Sequence, residues 1–472
     1  MSFSPHVVGT GTTQVGGIVH LRRGGTSVVV DLDAVSGPVI LHWGVDLGES
    51  DAETLRSLAV AARPQRVSGG LDVTTPLGLI PTADAGWPGT PALEGGRAAG
   101  GSGTVLSLRS SRSGDDALVV DLADDQTAIS VRAELTLSVG GVFSQRLTLR
   151  NDGTDDYTVA GLQPTFPLPW DATEILDTTG RHLRERSAQR HPFTFGTHLR
   201  ESRRGRPGAD ATVLLAAGRP GFGFEAGRVH GIHVAWSGNQ RVLAERVNTG
   251  EAFLMGGELY GQGEIVLAPG SEIVTPWVKG SWGDGLDELA ARFHDEWRAR
   301  SQHPSRPRPV MLNTWEAVYF AHSLDKLTAL ADAAAEIGVE RFVLDDGWFR
   351  HRRNDDAGLG DWYVDEDVWP QGLHPLVDHV TALGLEFGLW VEPEMINLDS
   401  DLARAHPEWI LRSREELPVP GRQQQVLNLA HPDAYTYLAE RLAALLDEYP
   451  IAYLKWDHNR DLVGAGTGAG SA

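Results

Sequence analysis

The chain has 472 residues and a formal net charge of −22, with 63 acidic against 41 basic side chains. That balance excludes the basic surfaces by which proteins hold nucleic acid or anionic membranes, and a neutral substrate is easier to accommodate. Cysteine is absent, which excludes a disulfide framework, a thiol nucleophile and a thiolate metal site.

The length predicts two or three domains, each burying its own core. The amino terminus, MSFSPHVVGTGTTQ, lacks the basic segment and apolar stretch of a signal peptide. No run of about eighteen apolar residues occurs, so a soluble, cytoplasmic protein is expected. Up to about residue 280 the pattern is that of strands: TSVVVDL at 26–32, PVILHW at 38–43, ALVVDL at 117–122, AISVRAELTLSV at 128–139 and VFSQRLTLR at 142–150. Apolar and polar residues alternate, and Ser-Gly-Asp-Asp, Gly-Gly and Asn-Asp-Gly turns separate the runs. An antiparallel β-sandwich is expected over 1–280, with ADAGWPGTPALEGGRAAGGS at 84–103 read as a long loop.

Residues 281–308 read as a helical linker, because Leu286, Leu289, Phe293 and Trp297 recur at helical spacing before HPSRPRP. Beyond it, apolar strands alternate with amphipathic helices: PVMLNT at 309–314, RFVLDD at 341–346, EFGLWV at 386–391 and IAYLKWD at 451–457. Ser323 is placed to cap the helix after the first strand. Gly338 and Gly384 stand where helices end, Pro432 suits a first helical turn and Pro450 a stop. Strands continuously apolar and separated by helices form a parallel sheet covered on both faces. Residues 309–472 thus predict the first four β/α units of a (β/α)8 barrel, with its site at the carboxyl ends of the strands. A doubly wound open sheet shares the repeat, but no glycine-rich phosphate loop follows the first strand.

Those strand ends deliver Trp315, Trp348, Trp390 and Trp456 together with Glu316, Asp345, Asp346, Glu392, Glu394, Lys455 and Asp457. Tryptophan rings pack on the apolar C–H faces of a pyranose, and carboxylates take its hydroxyls, so the mixture describes a sugar site. Asp345 and Asp346 could each accept sugar hydroxyls once both turn into the mouth. Paired aspartates also hold Mg²⁺ or Ca²⁺, but no phosphate-loop or calcium-loop pattern accompanies them, and no metal is expected there. Lys455 and Asp457 project to the same side of a strand, where an ammonium favours an ionised carboxylate nucleophile. The alternative at this pair is a simple intrastrand ion pair.

LNTWEAVYF at 312–320, FVLDDGWF at 342–349, GLGDW at 358–362, GLWVEPEM at 388–395, GRQQQVLNL at 421–429 and YLKWDHNR at 453–460 resemble the family 36 glycoside hydrolases, the bacterial α-galactosidases or melibiases. In the β-region, GRHLRERSAQR at 180–190 and ESRRGRPG at 201–208 do so too. The resemblance implies an amino-terminal β-supersandwich, a central (β/α)8 barrel and a small carboxyl-terminal β-domain, assembled as dimers or tetramers. It implies retaining hydrolysis of terminal α-galactosides such as melibiose and raffinose, through a galactosyl-enzyme intermediate and without metal or other cofactor. It makes Asp457 the nucleophile and gives substrate contacts to Asp345, Asp346, Trp390, Arg422, Lys455, Trp456 and Asn459. His458 departs from the family's usual methionine, and Asn428 from a frequent aspartate. The family's second carboxyl, the acid/base that retention requires, follows the nucleophile by several tens of residues. Here only HNRDLVGAGTGAGSA follows, so the acid/base is expected to be absent, the chain truncated in mid-barrel, and the fragment inactive. Galactosyl transfer by the same intermediate, and a non-catalytic sugar-binding or assembly fragment, remain as alternatives.

Overall fold

Strand alternation governs the first of the two units into which the chain divides, Met1–His303 and Pro304–Ala472. The structure, a computed structural model, describes residues 10–466 except 67, 99, 101, 102 and 213. In the strand Ile129–Leu137 every second residue, from Ile129 through Val131, Ala133 and Leu135 to Leu137, is buried. It pairs antiparallel with Ala117–Asp124 and Phe143–Asn151 inside a ten-stranded sheet. A four-stranded sheet, ordered Thr165–Leu168, Ala252–Glu258, Gln240–Arg246 and Gly196–Ser202, and another built from residues 11–45 complete the main layers. Trp43, Phe143 and Phe166, one from each sheet, meet with ring centroids 5.4–6.0 Å apart. This is the β-supersandwich, with one shared apolar core.

Two expectations are corrected here. The stretch 84–103 is no simple loop: Leu93–Gly96 pairs antiparallel with Tyr157–Leu162, and Trp87, Ala92 and Leu93 are buried. Its glycines hid the strand, and they are needed for it. A Cβ on Gly95 would lie 2.6 Å from the Tyr157 ring, so only glycine lets the two backbones close. Nor do residues 281–308 form a free-standing connector. The strand Val278–Asp284 runs into the helix Leu286–Arg298, whose Leu289 and Phe293 pack with Val142, Ala216, Phe222 and Val229 of the first unit.

In the second unit, Met311–Asn313, Arg341–Leu344, Glu386–Val391 and Ile451–Trp456 form a four-stranded parallel sheet in that order. Each strand lies beside its predecessor, with no reversal of direction in the order. That is barrel progression, whereas a doubly wound sheet reverses at a switch point. Helices Leu324–Glu336, His374–Ala382 and Pro432–Glu448 fill the crossovers, and the unit holds the first half of a (β/α)8 barrel. Gly338 and Gly384 adopt φ of 86° and 81° after the first two helices, conformations open to glycine at little cost. Ser323 occupies the N-cap of the first helix, but its side chain makes no capping bond.

The two inner strands are buried almost throughout, while the outer two are partly exposed, reaching 50% at Trp456. The core is therefore concentrated on the inner pair, where Phe342, Leu344, Phe387 and Leu389 are inaccessible to solvent. Phe387→Ala is predicted to destabilise the second unit by about 3–5 kcal/mol, read as a lower urea midpoint in its unfolding transition.

Candidate active site

The residues expected to form a sugar site gather where the parallel strands end. Asp345 follows Arg341–Leu344 directly. Its amide donates to Thr314 Oγ1 at 2.9 Å and its carboxylate accepts Lys455 Nζ at 2.7 Å. The lysine therefore serves Asp345 across the sheet, and the expected Lys455–Asp457 pairing is replaced. The physical reason is desolvation: the Asp345 carboxylate retains only 4% exposure, and an opposite charge compensates the lost water.

Asp346 carries a second buried ion pair. Arg352 Nε and Nη2 donate to its two oxygens at 2.9 Å each, and both residues are almost inaccessible. Burial pushes the Asp346 carboxyl upward and Arg352 opposes the shift. Arg352 Nη1 continues to Ala357 O and Asn397 Oδ1, at 2.9 and 3.2 Å. Nothing local marks this role, because Arg352 sits in the run Arg350-His351-Arg352-Arg353. Only the folded loop selects which of those cations is buried.

Asp457 extends beyond Ile451–Trp456, its amide held by Val391 O. Its Oδ2 accepts Trp390 Nε1 at 3.1 Å and Asn459 Nδ2 at 2.7 Å, and among the described residues its Oδ1 accepts only the amide of His458 at 3.0 Å. One oxygen is thus anchored by two side chains and the other is the less committed. Trp390 is itself fixed: its carbonyl accepts Trp348 Nε1 at 2.9 Å and its ring stacks on Phe349.

The four tryptophans divide. Trp348 is fully buried, so it supports the site from the core. Trp390 touches the nucleophile candidate. Trp315 is half-buried against Tyr319 and Phe320. Trp456 is exposed and donates to Glu394 at 2.9 Å. Glu394 also meets His458 Nδ1 at 3.3 Å, and that contact holds its carboxyl below the ordinary range. Glu316 is exposed and accepts the Tyr319 hydroxyl.

Glu392 acts more centrally than its sequence position indicated. Its side chain is buried, with Oε1 accepting the Asn459 amide at 2.6 Å and Oε2 accepting Gln424 Nε2 at 3.1 Å. It therefore ties the loop of Asp457 to the hairpin that carries Arg422. That hairpin is strained: Arg422 and Gln423, consecutive and neither glycine, have φ of 51° and 61°. A turn with both central residues left-handed normally takes Asn-Gly. Asn397 Nδ2 holds it by donating to Gln423 O at 2.9 Å. The Arg422 guanidinium is half-exposed, 3.9 Å from Asp355. Strain of about 1–3 kcal/mol per such residue persists where surrounding structure imposes it, and often where ligands bind.

Burial, opposed by the hydrogen bonds from Asn459 and aided by the Asp457 charge, raises the Glu392 carboxyl above its ordinary value of 4.5. A raised acid holds its proton in the folded state over a window where the unfolded chain has lost it. Its contribution to stability therefore falls as pH rises from the unfolded value through the folded one. Glu392→Gln removes this titration, and a flipped Gln424, whose Oε1 is buried without a partner among the described residues, accepts from the new amide. The stability of the wild type relative to Glu392→Gln is predicted to decline as pH rises above about 4.5, measured by urea unfolding across the acid range.

The chain matches the model of the glycosyl hydrolase family 36 N-terminal domain over residues 36–268 and that of Melibiase over residues 272–471. It is similar to an alpha-galactosidase of Escherichia coli, 38% identical over 430 residues, which are 90% of this chain and 60% of that protein. Among solved structures it is similar to the GH36 alpha-galactosidase AgaA of Geobacillus stearothermophilus in complex with 1-deoxygalactonojirimycin, with TM-score 0.86 and 28% identity over 95% of this chain and 67% of that one. A variant of AgaA in complex with raffinose gives TM-score 0.85 at 28% identity, over the same shares of the two chains. The chain thus spans 60% of the length of the Escherichia coli relative. Two adjoining family models, matched in order across the supersandwich and the half barrel, lead to one conclusion: the chain belongs to glycosyl hydrolase family 36.

Proposed function

We propose that this chain carries the galactose-binding face and the nucleophile of a retaining α-galactosidase acting on terminal α-galactosides of the melibiose and raffinose type. The observation that carries the proposal is the Asp457 carboxylate at a barrel strand end, its Oδ2 fixed by Trp390 and Asn459 and its Oδ1 held only by a local amide. A retaining nucleophile needs an ionised carboxylate held still toward the anomeric carbon, and two neutral donors stabilise its charge. Asp345, paired with Lys455, and Asp346, paired with Arg352, supply acceptors for sugar hydroxyls. Lys455, Arg422 and Asn459 supply donors, and Trp390 and Trp456 supply the aromatic faces. The raffinose complex of the AgaA variant supports the substrate class. Homo-oligomeric assembly, as dimer or tetramer, belongs to the same proposal and rests on the family resemblance.

In the attack, an Asp457 oxygen forms a bond to the anomeric carbon as the glycosidic C–O bond breaks, and water later releases galactose with retention. The departing oxygen needs a proton from a second carboxyl about 5–5.5 Å from the nucleophile, and this reading assigns that role to no residue of the chain. The 472-residue protein is accordingly predicted to bind 1-deoxygalactonojirimycin by calorimetry while turning over p-nitrophenyl α-galactoside little or not at all. Asp345→Asn and Lys455→Met are each predicted to weaken that binding by about tenfold or more. Unchanged affinity in both variants would contradict the sugar-site assignment. Ready turnover abolished by Asp457→Ala would support the nucleophile and contradict the missing proton donor.

A further inference from the structure

Within the supersandwich, two edge strands and the neighbour of one of them bring together a set of donors that the proposed sugar site does not use. Asp177 lies in Glu174–Arg181 and His191 in Arg184–Pro192, the edge strand of the ten-stranded sheet. His198 lies in Gly196–Ser202, the edge strand of the facing four-stranded sheet. Asp177 pairs with Gln189 and Ile175 with His191, so Asp177 and His191 are diagonal neighbours on one face. The polypeptide turns between them and His198 within residues 193–195.

The carboxylate of Asp177 is 2% exposed. Its Oδ2 accepts His198 Nε2 at 2.8 Å and is bonded by Arg200 Nε, whose Nη2 also reaches Gln189 Oε1. Its Oδ1 is buried and has no hydrogen-bond partner among the described residues; nor has His191 Nε2, which lies 3.8 Å from it. That distance is too long for a hydrogen bond between them. The two imidazoles meet edge to face with centroids 4.4 Å apart, and the three donor atoms lie within 4.8 Å of one another.

We propose that Asp177, His191 and His198 form a binding site for a divalent zinc-class cation that fastens the two sheet edges to each other. Two imidazole nitrogens and one carboxylate oxygen are a ligand set that a borderline ion such as Zn²⁺ takes readily and Mg²⁺ does not. Bonds of about 2.0–2.2 Å in a tetrahedral site require ligand atoms somewhat over 3 Å apart, which donors within 4.8 Å of one another, with His191 Nε2 3.8 Å from Oδ1, reach by small side-chain rotations as His198 Nε2 leaves Oδ2. On binding, Nε2 of each histidine gives its lone pair to the metal and carries its proton on Nδ1 or loses it to solvent. Asp177 Oδ1 completes the set, and the fourth position stays open. Arg200 remains on Oδ2, where it satisfies the other oxygen of the buried carboxylate and, as a cation, lowers the affinity for a second positive charge.

The test uses the untagged 472-residue chain and Zn²⁺ alone, by equilibrium dialysis and by thermal unfolding with and without chelator. One Zn²⁺ is expected per chain at low-micromolar free zinc, with a rise in the melting temperature of the first unit that the chelator reverses. His191→Ala, at a partly exposed position, and His198→Gln are each expected to weaken binding at least about tenfold. Arg200→Met is expected to tighten it, a gain that a site elsewhere on the surface would not show. Co²⁺ in place of Zn²⁺ is expected to give the visible absorption of a tetrahedral N,O site in the wild type and not in His191→Ala. Absence of zinc binding in the wild type would overturn the proposal, as would equal binding by His191→Ala and His198→Gln.

Discussion

The register between the third and fourth barrel strands is the constraint on which the site depends. Trp390 lies beside Lys455 and Val391 beside Trp456, and the Asp457 amide closes the ladder on Val391 O. Side chains alternate along a strand, so a slip of one residue would turn Lys455 away from Asp345 and carry Asp457 away from Trp390. Ile451 and Leu454 of the fourth strand pack against the core that holds Phe387 and Leu389 of the third, so the same alignment also serves the packing. Packing and chemistry are therefore specified by one alignment.

Burying charge at the strand ends shapes the rest. Asp345 with Lys455 and Asp346 with Arg352 are charges taken largely out of water, and each persists because a matched partner accompanies it. Leaving one member of such a pair unpartnered costs about 3–5 kcal/mol. The pairs thus fix loop geometry as well as charge: Arg352 reaches from Asp346 to Asn397, and Asn397 reaches the hairpin of Arg422. Glu392 closes the circuit from that hairpin to the Asp457 loop. A sugar meeting this surface would find its polar partners already oriented, with little reorganisation left to oppose binding.

How much of this was legible in the residues follows from the range of each interaction. Alternation over 117–150 and the apolar runs at 341–346 and 386–391 are local patterns, and the strands formed where they lie. The strand Leu93–Gly96 was hidden because its glycines serve a neighbour, Tyr157, more than sixty residues away in the chain. Lys455 and Asp457 stand two positions apart, yet the lysine's partner is Asp345, brought close only by the parallel sheet. Gathering Asp345, Asp346, Trp390, Lys455, Asp457 and Asn459 at one end of that sheet was readable from strand periodicity and motif. The roles of Arg352, Asn397, Glu392 and Gln424 were not, since each depends on which loop atoms it meets.

The most direct test of the central reading is to treat the 472-residue chain with α-galactosyl fluoride bearing fluorine at C2 and to map any covalent adduct by peptide mass spectrometry. Fluoride departs without protonation, so nucleophilic attack alone suffices, and fluorine at C2 slows release of the adduct. The account predicts a single galactosyl adduct on Asp457, lost in Asp457→Ala and diminished when Trp390 or Asn459 no longer holds the carboxylate. An adduct on another carboxylate, or none on a folded chain that binds 1-deoxygalactonojirimycin, would contradict it.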